Sequence, residues 1–319
     1  MNKKILVTGA TGFVGSALVR RLLSCQDKQV VALSRQKEIS FPENVLVTVV
    51  SKKPEISEIS FENLEAIVHC AARVHIMNDR SDNPLAEFRE INVKFTLDLA
   101  RRAAEAGVKR FIFLSSIKVN GEETLPGRPF QADDVPAPVD PYGISKMEAE
   151  HGLRAIAQET GLEVVIIRPV LIYGPGVKAN FLSMMKWLNK GVPLPFGAIR
   201  NKRSLVSLDN LVDLIVTCLD HPRAVNQTFM VSDGEDVSTT ELLLRMGRAL
   251  GRPARLIPIP AIFLNAGATL LGRKDIARRL NGSLQVDIQK TRYLLGWSPI
   301  ESLDEGLEKA ASHLKCYSN

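Results

Sequence analysis

A chain of 319 residues, 45% hydrophobic and 24% charged, is long enough for one large domain or two, with ample core. Its formal charge of +6 is modest. Without a basic run interleaved with aromatics it points away from nucleic acid, while remaining compatible with phosphate-bearing ligands. The cysteines Cys25, Cys70, Cys218 and Cys316 are scattered without metal-ligand spacing, so no metal is expected and a reducing, cytoplasmic setting fits. The first residues already read as a strand, so no signal peptide can be drawn. The most apolar late stretch, Ile257–Leu271, is interrupted by Pro258, Pro260 and Asn265 and is too short to span a bilayer.

The N-terminus opens on Ile5-Leu6-Val7, breaks at Gly9, and passes into a helical pattern with Ala17, Leu18, Leu22 and Leu23 on one side and Arg20 and Arg21 on the other. Glycines at Gly9, Gly12 and Gly15 suit a tight turn, a close backbone approach to a pyrophosphate, and helix-on-strand packing, in that order. The helix start then offers unpaired amides to phosphate oxygens. Strand, glycine turn and helix together predict dinucleotide binding through Gly9, Thr11, Gly12, Phe13, Val14 and Gly15.

Further strands follow at Val30–Leu33, Val45–Val50 and Ala66–Cys70, then a helix at Phe88–Ala106 and a strand at Phe111–Leu114. A helix at Ile144–Glu159 and a strand at Glu163–Ile167 complete the alternation. This pattern predicts an α/β fold: a Rossmann-like, doubly wound parallel sheet. After Arg168 the character changes. Gly174-Pro175-Gly176 and Gly191-Val192-Pro193 bracket a short helix at Phe181–Leu188, and Leu205–Leu219 and Thr228–Val231 read as a return to the sheet. A helix at Glu241–Leu250, a proline-rich connector at Pro253–Pro260 and closing helices end the chain, with Trp297 expected in the core of the smaller unit. The predicted division is residues 1–170 plus about 204–232 for a nucleotide domain, and about 171–203 plus 233–319 for a discontinuous α/β substrate domain covering the carboxyl ends of the strands.

The second strand ends Ser34-Arg35, where NAD-binding versions of this fold carry an acid for the ribose 2′-hydroxyl. An arginine there can pair with a 2′-phosphate, so NADP is the first expectation and NAD the second. The chemistry lies in Ser115-Ser116 after the fifth strand and in Tyr142 and Lys146, which share one helix face. A nearby ammonium would lower the tyrosine toward working pH and make Tyr142 a general acid or base, with Ser116 bonding the same substrate oxygen. Asn92 on the preceding helix is placed to hold a water or backbone group that positions Lys146. His75, beyond the fourth strand, is a candidate substrate contact or a hydrogen-bonded loop residue.

At this point the chain resembles the extended short-chain dehydrogenase/reductases that act on nucleotide sugars, over nearly its whole length. Thr8–Gly15 matches their cofactor loop, and Val68-His69-Cys70-Ala71-Ala72 the segment along the cofactor. Asn92 with Thr96-Leu97 matches a helix motif, and Ser116, Tyr142 and Lys146 the catalytic triad. Arg168-Pro169 with Ile172-Tyr173-Gly174-Pro175-Gly176 matches the segment after the sixth strand. The resemblance implies cofactor contacts at Cys70, Ala71, Ala72, Ser115 and Pro169, and substrate contacts at Lys118, Asn180, Arg203 and Arg278. It also implies a homodimer through helices 88–106 and 144–159. Dehydratases of the family carry an Asp-Glu pair where this chain has Ile117-Lys118, which excludes elimination of water at C5–C6. The texture of Ser115–Gly121, Val231–Asp236 and Leu280–Asp287 resembles bacterial enzymes of surface-polysaccharide assembly. Those reduce the 4-keto group of a UDP-2-acetamido-2,6-dideoxyhexulose. The expectation is therefore a UDP-sugar 4-reductase, with a UDP-hexose or UDP-N-acetylhexosamine 4-epimerase as the alternative. A non-catalytic nucleotide-binding or redox-sensing protein is the remote reading.

Overall fold

The computed structural model describes residues 3–35, 41–42, 44–51, 55–74, 83–260, 262–264, 266 and 280–317. His75 and Arg278 lie outside these residues. The chain runs β1 (Lys3–Thr8), α1 (Phe13–Leu23), β2 (Lys28–Ser34), β3 (Val45–Val49) and β4 (Leu64–His69), then α2 (Pro84–Arg89) and α3 (Phe95–Glu105). It continues through β5 (Arg110–Leu114), α4 (Pro141–Thr160) and β6 (Glu163–Pro169). Seven strands form one sheet in the order β3-β2-β1-β4-β5-β6-β9, every pair parallel, where β9 is Thr228–Val231. The order reverses at β1 and β4, and the crevice at their carboxyl ends is where such sheets take ligands.

The alternation of side chains explains why these strands are apolar throughout. Ile5, Val7, Val30, Ala32, Val68, Ile112 and Ile167 face one core with α1 and α6 (Leu208–Asp220). Their neighbours Leu6, Val31, Leu33, Ile67, Phe111, Phe113 and Ile166 face a second core with α3 and α4. A parallel sheet covered on both faces needs hydrophobic residues at both periods of two.

A smaller sheet carries β7 (Leu171–Tyr173), β8 (Arg203–Ser207) and β10 (Asp236–Val237), in the order β10-β8-β7. Around it lie α5 (Ala179–Asn189), α7 (Thr239–Ala249) and α9 (Leu303–Tyr317), sharing a third core with Tyr173, Phe181, Leu243 and Leu307. Here the structure corrects two expectations. The strand read at Leu205 belongs to the smaller sheet, and its alternation explains why it looked like part of the larger one. Leu205 enters the third core, whereas Val206 and the following Leu208 enter the first. Trp297, expected in the smaller unit, packs in the first core, and its indole nitrogen donates to Asp213 on α6 at 2.9 Å. It follows α8 (Gln289–Leu295), whose Thr291 hydroxyl donates to Met230 O of β9 at 2.7 Å. Among the described residues no helix is long and apolar enough to cross a membrane.

Candidate active site

The site forms where β1, β4 and β5 end. Gly9 has φ +65°, and a Cβ there would lie 2.8 Å from Ala71 N. A Cβ on Gly15 would lie 2.1 Å from Gly9 O. Both positions therefore require glycine, for the turn and for helix-on-strand packing. Helix α1 has Gly12 at its N-cap, with no side-chain cap and no acidic residue in its first turn, so its positive end is left open to an anionic ligand. Thr11 and Gly12 are exposed beside it, while Val14 and Gly15 are buried. The cradle fits the pyrophosphate of a dinucleotide. Ser34 is buried at the end of β2 and Arg35 is exposed just beyond it.

Helix α4 is started by Asp140, whose carboxylate accepts from Gly143 N at 2.7 Å, with Pro141 in the first turn. That start lies ahead of the expected one at Ile144, and it makes Tyr142 fully part of the helix. Tyr142, Lys146, Glu150 and Arg154 then recur on one face. Ser116 caps a short 3₁₀ turn, Ile117–Val119, and its hydroxyl oxygen accepts from Lys118 N at 3.2 Å. Its hydroxyl is also hydrogen-bonded to Tyr142.

Burial pushes the Tyr142 phenol up to about 12, the Ser116 hydrogen bond pulls it back, and the Asp140 charge raises it further. The expected depression by Lys146 does not operate in this arrangement. Lys146 is only 1% exposed; its ammonium donates to Leu114 O at 2.9 Å and lies 4.4 Å from the Phe113 ring centroid. Burial brings Lys146 down to about 7, against the pull of Cys70 and Glu150. A cation held by one carbonyl and a ring face is poorly compensated, and the proton leaves more easily.

Asn92 sits in a π-helical turn, Glu90–Lys94, between α2 and α3. The sequence read this whole stretch as one regular helix. The irregular turn aims Asn92 inward: its Oδ1 accepts from Arg73 N at 2.8 Å, and its Nδ2 donates to Arg73 O and to Ser145 Oγ, each at 3.0 Å. Asn92 thus holds a backbone group, as expected, but it reaches the residue before Lys146 rather than Lys146 itself. Phe88 on α2 meets the Tyr142 ring edge-on at 6.0 Å.

Other candidates fall differently. Ser115 donates its hydroxyl to Glu150 at 2.6 Å, so its side chain joins a buried ion pair. Lys118, expected to meet substrate, is paired with Glu122 at 2.9 Å and with Asp140. Cys70, Ala71 and Ala72 are half-buried beside Gly9; burial pushes the Cys70 thiol up to about 12, against the pull of Lys146, which favours the neutral thiol. Pro169 is buried at the end of β6. Asn180 is exposed in the first turn of α5, and Arg203 donates to Gly282 O at 3.1 Å.

Sequence reasoning missed the groups behind this surface. Arg168 donates to both oxygens of Glu150, at 2.9 and 2.5 Å, and also reaches Asn120 and Ala132 O. His69 bridges Thr8 and Thr96. The Asp140-Pro141 pair was a readable helix-start signal, whereas Arg168, Thr8 and Thr96 lie on other elements than the Glu150 and His69 they hold.

A glycine cradle at the switch point of a parallel sheet, with Ser116, Tyr142 and Lys146 beside it, is the arrangement of a dinucleotide-dependent α/β enzyme. Comparison with known proteins sharpens the class. Residues 5–232 match the NAD dependent epimerase/dehydratase family, and the chain belongs to it. It is 50% identical over 313 residues to a UDP-glucose 4-epimerase of Vibrio cholerae, covering 98% of this chain and 95% of that one. It is 25% identical to an Escherichia coli dTDP-4-dehydro-6-deoxyglucose reductase, with 98% of each chain covered. Among solved structures, UDP-glucuronic acid 4-epimerase from Bacillus cereus in complex with NAD superposes with a TM-score of 0.77 at 21% identity, covering 98% and 99% of the two chains. The protein is an enzyme of the extended short-chain dehydrogenase/reductase type, as the resemblance implied.

Proposed function

We propose that the chain is a UDP-hexose 4-epimerase that works with NAD. The observation that carries this is the 50% identity to the Vibrio cholerae UDP-glucose 4-epimerase across 98% of the chain. That likeness moves the epimerase from second reading to first. The bound nicotinamide supplies a reversible hydride acceptor for C4 of the sugar. Tyr142 takes the proton of the 4-hydroxyl and gives it back, and Ser116 holds the same oxygen through the transfer. Lys146, close to half discharged near neutral pH, can change protonation as the phenol changes charge. The smaller unit, with Asn180 on α5 and Arg203 on β8, grips the nucleotide diphosphate.

A second reading, reduction of a UDP-4-keto sugar by NADPH, is favoured by one observation. Arg35 stands exposed past β2, where an NAD site would have its acid. A neutral Tyr142 phenol suits donation to a nascent alkoxide. One experiment separates the two. The purified enzyme is mixed with UDP-glucose or UDP-N-acetylglucosamine, and in parallel with NADPH and a UDP-4-keto-6-deoxy-N-acetyl sugar made in situ. Interconversion of C4 epimers at constant cofactor establishes the epimerase; stoichiometric loss of NADPH absorbance establishes the reductase and sinks the first reading.

A further inference from the structure

His69 is the last residue of β4, buried, and neighbour to the end of β1 at the point where strand order reverses. It is not exposed to any substrate, yet both ring nitrogens are engaged. Nδ1 lies 2.7 Å from Thr8 Oγ1 and Nε2 lies 3.0 Å from Thr96 Oγ1. The directions of these bonds follow from their neighbours. Thr96 spends its single proton on Asn92 O at 2.8 Å, so toward His69 it can only accept, and Nε2 must carry the proton. Thr8 already accepts from Ala71 N at 3.2 Å and has its own proton left for Nδ1. The chain of bonds therefore runs one way: Ala71 N to Thr8, Thr8 to His69, His69 to Thr96, Thr96 to Asn92 O.

At its far end the same residue, Asn92, clamps both backbone groups of Arg73 and reaches Ser145, whose hydroxyl donates to Tyr142 O at 2.8 Å. At its near end, Ala71 lies against Gly9 so closely that no Cβ fits between them. The segment Cys70–Arg73 is thus pinned at Ala71 and at Arg73, and His69 joins the two pins. The rings of Phe95, Phe111 and Phe113 surround it at 5.9–6.0 Å. Burial, with the Lys146 ammonium adding to it, brings the imidazole down to about 3. The tautomer that the bonds demand is therefore the one present at every working pH.

We propose that His69 is a positioning residue for the dinucleotide cradle: held at both nitrogens, it fixes the Cys70–Arg73 segment against Gly9 and in register with the helix that carries Tyr142. A preformed cradle binds without first ordering its own wall, which is where affinity is gained. The inference rests on the dinucleotide reading of this site and adds to it a residue that touches neither cofactor nor substrate.

The test compares His69→Leu, which keeps the apolar packing and removes both hydrogen bonds, with His69→Gln, which keeps one acceptor and one donor. Kd for NADH and for NADPH is measured by calorimetry on wild type and both variants, with thermal melting alongside. His69→Leu should weaken the better-bound dinucleotide by about tenfold, the size of one lost net hydrogen bond. His69→Gln should stay within about threefold of wild type. If His69 only fills space, leucine serves as well as glutamine, and equal affinities for His69→Leu and wild type overturn the proposal. Should His69→Leu fail to melt cooperatively, Thr96→Val removes the same acceptor with less disturbance. It should weaken binding about threefold, and unchanged binding there counts against the proposal equally. A wild-type chain that binds neither dinucleotide overturns the cofactor reading itself, and this inference with it.

Discussion

The two halves of one face of α4 treat buried charge in opposite ways. In the first, Lys146 is enclosed with a carbonyl and a phenylalanine ring as its direct neighbours, and its proton is loosened. One turn on, Glu150 is equally enclosed but receives both arms of Arg168, a bond from Arg154 and the hydroxyl of Ser115. Its carboxyl is held below the ordinary carboxylate range in spite of burial. The compensated half is architecture, fastening α4 to β6 and to the end of β5. The uncompensated half leaves Lys146 able to exchange its proton near neutral pH, which is what the proposed chemistry asks of it.

Breaking each half should produce opposite phenotypes. Tyr142→Phe should lower turnover by about 10²–10⁴-fold, the usual range for a lost proton-transfer group, with little change in melting temperature. Arg168→Met leaves Glu150 buried with its main partner gone and should cost about 3–5 kcal/mol of stability in urea titration. Glu150→Leu/Arg168→Met together should recover most of that loss, since an apolar pair of similar volume carries no desolvated charge.

The pH dependence of stability divides along the same line. Lys146 falls from 10.5 to about 7, so between those values the unfolded chain binds more protons than the folded one. Stability should therefore rise with pH across that window, by up to about 1.4 kcal/mol per unit, and Lys146→Met should flatten the rise. Glu150, held below its ordinary value of 4.5, contributes fully above that pH and loses its contribution on further acidification. The smallest effect belongs to the opposite end of the sheet. Lys3 pairs with Asp220 at 2.6 Å while 38% exposed, and Lys3→Ala should shift urea stability by about 0.5 kcal/mol or less. A larger loss there would mean that exposed pairs in this protein matter as much as the buried one.

What the sequence made legible is what local pattern encodes. The glycine turn, the runs of valine and isoleucine, and the four-residue spacing of Tyr142 and Lys146 each carry their meaning within one element. The main sheet and the neighbourhood of the triad followed from them. Strand β8 was misplaced because Leu205 and Val206 face different cores, and one apolar run looks the same whichever sheet it joins. Ser115, a cofactor contact by the resemblance, donates its hydroxyl to Glu150, a partner that no local pattern reveals. Glu150–Arg168 and Thr8–His69–Thr96 were invisible for a simpler reason: each joins different elements, and no spacing within one element announces them.

The turn at Glu90–Lys94 has a consequence for how this region tolerates change. A π turn amounts to one residue too many for a regular helix, and each residue advances the helix by about 100°. One residue shorter, the run from Pro84 to Glu105 would become a continuous helix with smoother backbone geometry. Asn92 would then be rotated about 100° away from Arg73 and Ser145. Length at this turn is therefore a phase setting. A single-residue deletion there would leave a longer, more regular helix in which the Cys70–Arg73 segment and the helix that carries Tyr142 no longer share a frame.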